Sequence, residues 1–159
     1  MNVFIISVGK LKEKYLKDAI DEYSKRMKSY TNLEIIEVPD ESAPENLSET
    51  EMEIVKQKEA ERILSKIPKN SKVIPLVINA KQYDSVEFSN KISNYSIDGT
   101  KNLVFIIGGS LGLSKSVLDI ADEYISFSKM TFPHQLMRLI LVEQIYRAYR
   151  IMNNHPYHK

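Results

Sequence analysis

The sequence has no cysteine, no tryptophan and only three histidines. Without cysteine the chain cannot form disulfides, thiolate nucleophiles or any zinc or iron–sulfur site that needs a cysteine ligand. Three histidines give little basis for a structural metal site, so we expect no metal. Five glycines and six prolines in 159 residues exclude a collagen-like or low-complexity chain.

Long hydrophobic runs are also lacking. The apolar run Val3-Phe4-Ile5-Ile6 has no basic residue before it and is followed by Gly9-Lys10, so we expect neither a signal peptide nor a membrane span. We therefore expect a cytoplasmic protein with no membrane partner. A length of 159 residues with a hydrophobic fraction of 43% predicts one globular domain over residues 1–159.

The charge is unevenly distributed, although the formal net charge is only +1. Eight acids and two lysines lie between Asp40 and Glu61, a stretch that we interpret as a loop and a solvated helix face. Five basic residues and one acid lie between Lys129 and Lys159, together with all three histidines. We therefore expect an anionic partner to meet the C-terminal end of the chain.

Apolar runs of strand length alternate with segments of helical period, which predicts an α/β fold with a mostly parallel sheet flanked by helices. We predict strands at about residues 2–8, 33–38, 72–78, 102–107 and 123–127. In the first predicted helix, Leu11, Tyr15 and Leu16 begin an apolar face that packs on the sheet. We predict a loop at residues 39–44, followed by a helix that begins at the capping box of Ser48 and Glu51 and ends at about Ile67. Three further helices are predicted at residues 85–97, 114–120 and 134–153.

A glycine-rich segment, Gly108-Gly109-Ser110-Leu111-Gly112, follows the fourth predicted strand. The carboxyl ends of parallel strands are where open α/β sheets bind ligands. The spacing excludes both the dinucleotide fingerprint and the phosphate-binding P-loop, because position 110 is serine and Leu113 follows Gly112. Two interpretations remain open, a tight turn that needs positive φ and a backbone that a ligand approaches closely.

The loop at residues 127–132 is unusually apolar, because Phe127, Met130 and Phe132 lie among three polar residues. Exposed loops seldom carry so much apolar surface, so something must cover it. The cover is either the protein core or a flat ligand such as adenine.

The last predicted helix is apolar almost all round over residues 136–142, which predicts burial against the sheet and against a second copy of the chain. His134 and Arg138 are four residues apart and share a face of this helix. Arg147 and Arg150 are three apart and could grip phosphate, although surface salt bridges explain them equally well.

The tail His155-Pro156-Tyr157-His158-Lys159 combines aromatic, imidazole and cationic groups. It is either a frayed terminus or a device that stacks on and holds an unpaired base. We expect no residue of the core in it.

Four of these segments in this order, with the opening Val8-Gly9-Lys10-Leu11-Lys12, resemble one family: Phe105 through Gly112, Ser126 through His134, Tyr146 through Tyr149 and the tail. They resemble the RlmH-type 23S ribosomal RNA pseudouridine N3-methyltransferases of the SPOUT superfamily. The resemblance covers essentially the whole chain. It implies a SPOUT α/β knot, with a C-terminal trefoil knot, and a homodimer that binds S-adenosylmethionine in the knot.

The resemblance also implies an activity, methyl transfer to N3 of a pseudouridine in 23S rRNA of the ribosome. Methylating an imide nitrogen requires that the nitrogen lose its proton and face the methyl group in line. The alternatives are a SPOUT methyltransferase that acts on transfer RNA and a ribosome-binding module without catalysis. The implied cofactor residues are Leu76, Gly108, Phe127, Ser128, Lys129, Met130, Thr131 and Phe132. The catalytic candidates are His134, Arg138, Tyr157 and His158, and the RNA-binding candidates are Arg147, Arg150, His155 and Lys159.

Overall fold

The computed structural model describes residues 1–42 and 44–159 and contains a four-stranded parallel sheet in the order β2-β1-β4-β3. Ala43, within the predicted loop at 39–44, lies outside the described residues. The elements are β1 (Asn2–Val8), α1 (Lys14–Met27), β2 (Leu33–Val38), α2 (Glu49–Leu64), β3 (Ser71–Pro75), α3 (Ser85–Ile97), β4 (Asn102–Ile107), α4 (Lys115–Leu118) and α5 (His134–Met152). The prediction of a parallel α/β sheet flanked by helices is confirmed.

The central strands β1 and β4 are buried on both faces, and their apolar residues form two separate cores. Ile5 pairs with Ile35 on one side and Phe105 on the other. Ile5 and Phe105 belong to the core that α1, α3 and α5 cover, whereas Ile6 and Ile106 belong to the core beneath α2 and α4. Parallel strands buried on both faces read as continuous apolar runs, which is why these two strands were predictable.

Local capping signals set the boundaries of α2 and α3. Ser48 and Glu51 form the predicted capping box, and Asp84 forms a second one with Glu87. The chain leaves α3 through Gly99, whose φ of +83° is unfavourable for any residue with a Cβ. In α1 the prediction is wrong for Tyr15, whose side chain is 69% exposed rather than packed on the sheet.

The fifth predicted strand does not form. Residues 123–127 make only isolated bridges, between Leu76 and Ile125 and between Gln82 and Ser126. At the β3 edge the Asp122 carboxylate, rather than a backbone carbonyl, accepts from the Val73 N–H at 2.7 Å, while the Asp122 and Ile125 N–H groups donate to the Val73 and Pro75 carbonyls. The backbone pairing is therefore interrupted. The apolar run there packs as an irregular segment with Ile125 in the core.

Helix α5 crosses the sheet and packs against α1 and α3, with Leu141, Val142, Ile145 and Ala148 fully buried. It begins after Pro133, whose fixed φ suits the start of a helix, and it ends one residue before the predicted Asn153. Over residues 1–42 and 44–159, no helix is both long and apolar enough to span a membrane.

Candidate active site

A cavity of about 470 Å³ opens at the carboxyl ends of β3 and β4. Its walls are residues 76–79 after β3, the glycine loop (residues 107–113) after β4, and the apolar loop (residues 126–132) before α5. Leu118, His134 and Met137 complete the lining. Pockets of this size and apolar character are typical of sites for small organic ligands.

The glycine loop forms a tight turn and lines the cavity, and the interpretation as a turn with positive φ is confirmed at Gly112. The Gly112 N–H donates to the Gly109 carbonyl at 3.0 Å, and Gly112 has a φ of +84°. A Cβ on Gly108 would lie 3.0 Å from the Leu113 side chain and 3.1 Å from the Gly112 carbonyl carbon. A side chain at position 108 would therefore force Leu113 or the backbone of Gly112 to shift.

The apolar loop is covered by core on one side and lines the cavity on the other. The Phe127 ring packs edge-on against Phe88, with centroids 5.9 Å apart. The Ser128 hydroxyl accepts a hydrogen bond from the Met130 N–H at 2.9 Å, which fixes the turn. Met130 is 73% exposed, so apolar surface remains available there for another molecule. Of the six predicted cofactor residues in this loop, only Lys129 does not line the cavity.

His134, a predicted catalytic residue, lies at the rim of this cavity on the first turn of α5. Among the described residues that line the cavity, His134 is the one with a titratable side chain. Its ring lies against the backbone of Gly9 in the turn after β1. A Cβ added to Gly9 would be only 3.6 Å from Nε2 of His134. His134 is therefore placed where it could exchange a proton with a ligand in the cavity.

Arg138, the second predicted catalytic residue, is buried rather than facing the cavity. Its guanidinium donates to Glu37 Oε2 at 2.6 Å and to the Gly9 carbonyl at 3.1 Å, and the residue is only 1% exposed. Burial alone would raise the pKa of Glu37, but the Leu11 N–H and then the Arg138 guanidinium more than offset this, so that pKa is lowered. Arg138 thus fixes the backbone beneath His134.

The tail is folded against α5 and contains no buried core residue, as expected, but the half-buried Tyr157 packs against the larger core. The Tyr157 ring packs edge-on against Tyr146 with centroids 5.0 Å apart, at the margin of the larger core. Its hydroxyl donates to Glu143 at 2.9 Å, and the Arg147 guanidinium lies 4.6 Å from its ring centroid. Burial first, and then hydrogen bonds with Tyr23 and Glu143, raise the pKa of Tyr157.

The predicted RNA-binding residues also gather at this end of α5. Arg147 pairs with Glu143 at 2.7 Å, and its Nη1 lies 3.2 Å from Nδ1 of His158. Arg150 donates to the Pro156 carbonyl at 2.7 Å and to the Tyr30 hydroxyl, which also contacts His155. Lys159 is exposed at the end of the chain. Both arginines are therefore engaged in holding the tail.

Within one subunit, His134 lies next to the predicted cofactor residues, but the tail does not. Thirteen residues of helix separate His134 from Arg147, a distance of about 20 Å along the axis. Tyr157 and His158 contact the Arg147 end. The predicted site thus falls into two parts, a cavity and a tail, at different places on the surface.

Several lining residues lay outside the sequence predictions. Residues 109–113 were recognised as glycine-rich, but only Gly108 was assigned to the site. Residues 77–79 and Met137 carry no sequence signal, because their side chains are apolar or amide groups common in any core or loop. Their role follows only from the meeting of β3, β4 and α5.

Comparison with known proteins adds the following. The family model described as a predicted SPOUT methyltransferase matches residues 1–158. Proteins named ribosomal RNA large subunit methyltransferase H from Enterococcus faecalis and Finegoldia magna are 59% and 61% identical over 159 residues, with complete coverage of both chains in each pair. A solved structure of a probable methylase family protein from Haemophilus influenzae shares the fold at a TM-score of 0.52 and 14% identity, covering 96% of this chain and 66% of that chain.

Proposed function

Since the chain belongs to the SPOUT methyltransferase family, in the branch of the ribosomal RNA large subunit methyltransferases H, we propose that it methylates N3 of a pseudouridine in 23S rRNA. The full-length identity of about 60% to proteins of that name carries the proposal. The protein is thus a ribosomal RNA methyltransferase. We infer that the assembled ribosome is its substrate, that it acts in the cytoplasm, and that residues 1–159 form one methyltransferase domain.

The cavity suits S-adenosylmethionine as the methyl donor. Its volume of about 470 Å³ and its apolar walls accommodate an adenine, and the glycine loop leaves backbone groups accessible to hydrogen-bond it. Leu76, Gly108, Phe127, Ser128, Met130, Thr131 and Phe132 would hold this group, with Lys129 at the exposed edge of the same loop. When bound, S-adenosylmethionine supplies an electrophilic methyl group.

His134 is the residue that we assign to the proton of the imide nitrogen. It is the titratable side chain at the rim of the cavity, and its position against the turn after β1 holds the ring in place. Arg138 acts indirectly, because it is buried and binds the backbone of Gly9 rather than reaching the cavity. We therefore regard Arg138 as a positioning residue for His134.

The active protein is a homodimer in this proposal, and two observations support it. The outward face of α5 keeps Leu136 36% exposed next to the cavity, and Met130 and Ile78 nearby are 73% and 46% exposed. Apolar surface of this kind is typical of subunit interfaces. In addition, the tail of one chain lies too far from its own cavity, so Tyr157 and His158 would serve the cavity of the partner subunit.

We also infer the trefoil knot that the family implies. The supporting observation is the path of residues 125–126 beside both arms of the loop at 76–82. The Ile125 N–H donates to the Pro75 carbonyl at 3.2 Å, the Val77 N–H donates to the Ile125 carbonyl at 2.9 Å, and the Ser126 N–H donates to the Lys81 carbonyl at 3.0 Å. A chain that passes through such a loop before forming α5 would be knotted.

Methyl transfer from labelled S-adenosylmethionine to different RNA substrates tests the function. Assembled ribosomes, isolated large subunits, naked 23S rRNA and transfer RNA are each incubated with the protein, and the nucleosides are then separated. We expect the label in N3-methylpseudouridine from ribosomes. Label in transfer RNA would instead favour the alternative SPOUT activity, and binding to ribosomes without any label would favour a non-catalytic module.

A further inference from the structure

The turn between β1 and α1 carries two exposed lysines and packs against His134, a residue that lines the cavity. We call residues 9–12 the lysine turn, since Lys10 and Lys12 are both exposed there. The backbone of Gly9 lies against the His134 ring, with a φ of +94°. The turn that carries the two lysines therefore lies beside the residue assigned to the proton of the substrate.

Three hydrogen bonds with side chains of other elements hold the backbone of the lysine turn, in addition to the bond from the Gly9 N–H to the Val38 carbonyl at 2.8 Å. Glu37 of β2 accepts the Leu11 N–H at 2.6 Å, and Arg138 of α5 donates to the Gly9 carbonyl at 3.1 Å. Gln135 of α5 accepts the Lys12 N–H at 3.1 Å. A turn fixed in this way loses little conformational freedom when a ligand binds to it.

Neither ammonium group of the lysine turn forms an ion pair within the described residues, although the charge of Lys10 is close enough to Glu37 to help lower the pKa of that carboxyl. Over residues 1–42 and 44–159, neither Lys10 nor Lys12 has a carboxylate oxygen within the 4 Å of an ion pair, whereas Lys14 pairs with Asp18 at 2.6 Å. The nearby Glu37 carboxylate already pairs with Arg138. Two free cations on a fixed turn suit the phosphates of a nucleic-acid strand.

An exposed aromatic ring completes this surface. Tyr15, on the first turn of α1 and 69% exposed, is the residue that the periodicity had placed in the core. Unpaired bases stack on such rings without regard to sequence. By contrast, Arg147 and Arg150, the basic residues expected to bind phosphate, are occupied with the tail.

We propose that the lysine turn binds backbone phosphates of the RNA strand that flanks the target nucleotide, with Tyr15 stacking on a neighbouring unpaired base. This inference rests on the proposed function, because it requires an RNA substrate at the cavity. The turn would hold the strand so that the target base enters beside His134. It acts on substrate binding and leaves the cofactor cavity unchanged.

The test compares the double variant Lys10→Ala/Lys12→Ala with Lys69→Ala/Lys101→Ala. The control removes the same charge from two exposed lysines just before β3 and β4. These lysines lie at the amino-terminal end of the strands, opposite the end where the cavity opens. KM and kcat for ribosomes are measured between 50 and 200 mM salt, together with the affinity for S-adenosylmethionine. Lys10→Arg/Lys12→Arg preserves the charge, and melting temperatures confirm that every variant folds.

Each phosphate contact adds about 0.7 to 0.9 to the log–log salt slope, so two lost contacts flatten it by about 1.4 to 1.8. KM of the unsubstituted protein should therefore rise about 7- to 12-fold more over this salt range than KM of the alanine variant. The control and the arginine variant should keep the original slope, and cofactor affinity should not change. An unchanged slope for the alanine variant would overturn the inference while leaving the function intact. Absence of methyl transfer by the unsubstituted protein would overturn the function itself.

Discussion

Removing the tail, residues 155–159, should cost both stability and activity, and the structure gives the size of the first effect. The truncation deletes the edge-on pair between Tyr157 and Tyr146, the hydrogen bond to Glu143 and the contact with the Arg147 guanidinium. Such contacts contribute about 0.5–1.5, 0.5–1.5 and 0.5–1 kcal/mol, together about 1.5–4 kcal/mol. At about 2–4 °C per kcal/mol for a chain of this length, the melting temperature should fall by about 3–16 °C.

Point variants separate the structural part of this effect from the catalytic part. His158→Ala removes an exposed side chain, so it should leave the melting temperature nearly unchanged while slowing methyl transfer about 10²- to 10⁴-fold if His158 acts on the substrate. Lys101→Ala, which removes an exposed side chain just before β4, at the end of the strand opposite the cavity, is the control and should retain most of the rate. Differential scanning calorimetry and ribosome methylation measure the two effects. A truncated protein with the original melting temperature would refute the packing argument, and one with the original rate would refute any role of the tail in the reaction.

Three further predictions concern the buried ion pair, the cofactor and the dimer. Glu37→Gln leaves the buried Arg138 guanidinium without its carboxylate, which is 39% exposed and partly screened by solvent, and should destabilise the protein by about 1–2 kcal/mol in urea unfolding. The pKa of Glu37 is lowered in the folded protein, so ionised Glu37 stabilises the fold above its unfolded pKa of 4.5, and this stabilisation is lost as the pH falls through the folded pKa. A Gln variant whose acid unfolding curve is unchanged would contradict this. S-adenosylmethionine at about 100 times its Kd should stabilise the protein by about 2.7 kcal/mol, raising the melting temperature by about 5–11 °C, whereas no shift would argue against the cavity as its site. Light scattering should give about twice 18.4 kDa for the unsubstituted protein and a monomer for Leu136→Glu, and a concentration-independent monomer for both would rule out the dimer.

The features that the sequence predicted well are those set by local interactions. The Ser48 capping box and the Gly99 stop involve residues within a few positions of one another, so their signals are visible in the sequence. The fifth predicted strand is reduced to isolated bridges, and the Asp122 side chain, 49 residues from Val73, interrupts its backbone pairing at the sheet edge. The burial of Arg138 likewise depends on Glu37, 101 residues away.

The candidate site divides in the same way. The glycine loop and the apolar loop were identifiable because their compositions are unusual for loops. Their meeting around one cavity depends on the neighbouring positions of β3 and β4, which the sequence order conceals. The docking of the tail on Tyr146 and the exposure of Tyr15 are also tertiary effects, which helical periodicity cannot indicate.

The central claim is that one subunit's cavity works with the tail of its partner, and mixed dimers test it most directly. Gly108→Val should disable a cavity, because the new side chain would meet Leu113 and the Gly112 carbonyl carbon. This chain and a chain ending at Asn154 are produced together with different tags, and the tagged heterodimers and the unfractionated mixture are assayed on ribosomes. Each homodimer should be inactive, but each heterodimer should contain one complete site, giving the random mixture about a quarter of the unsubstituted activity. Heterodimers no more active than the two inactive homodimers would contradict a site shared between subunits.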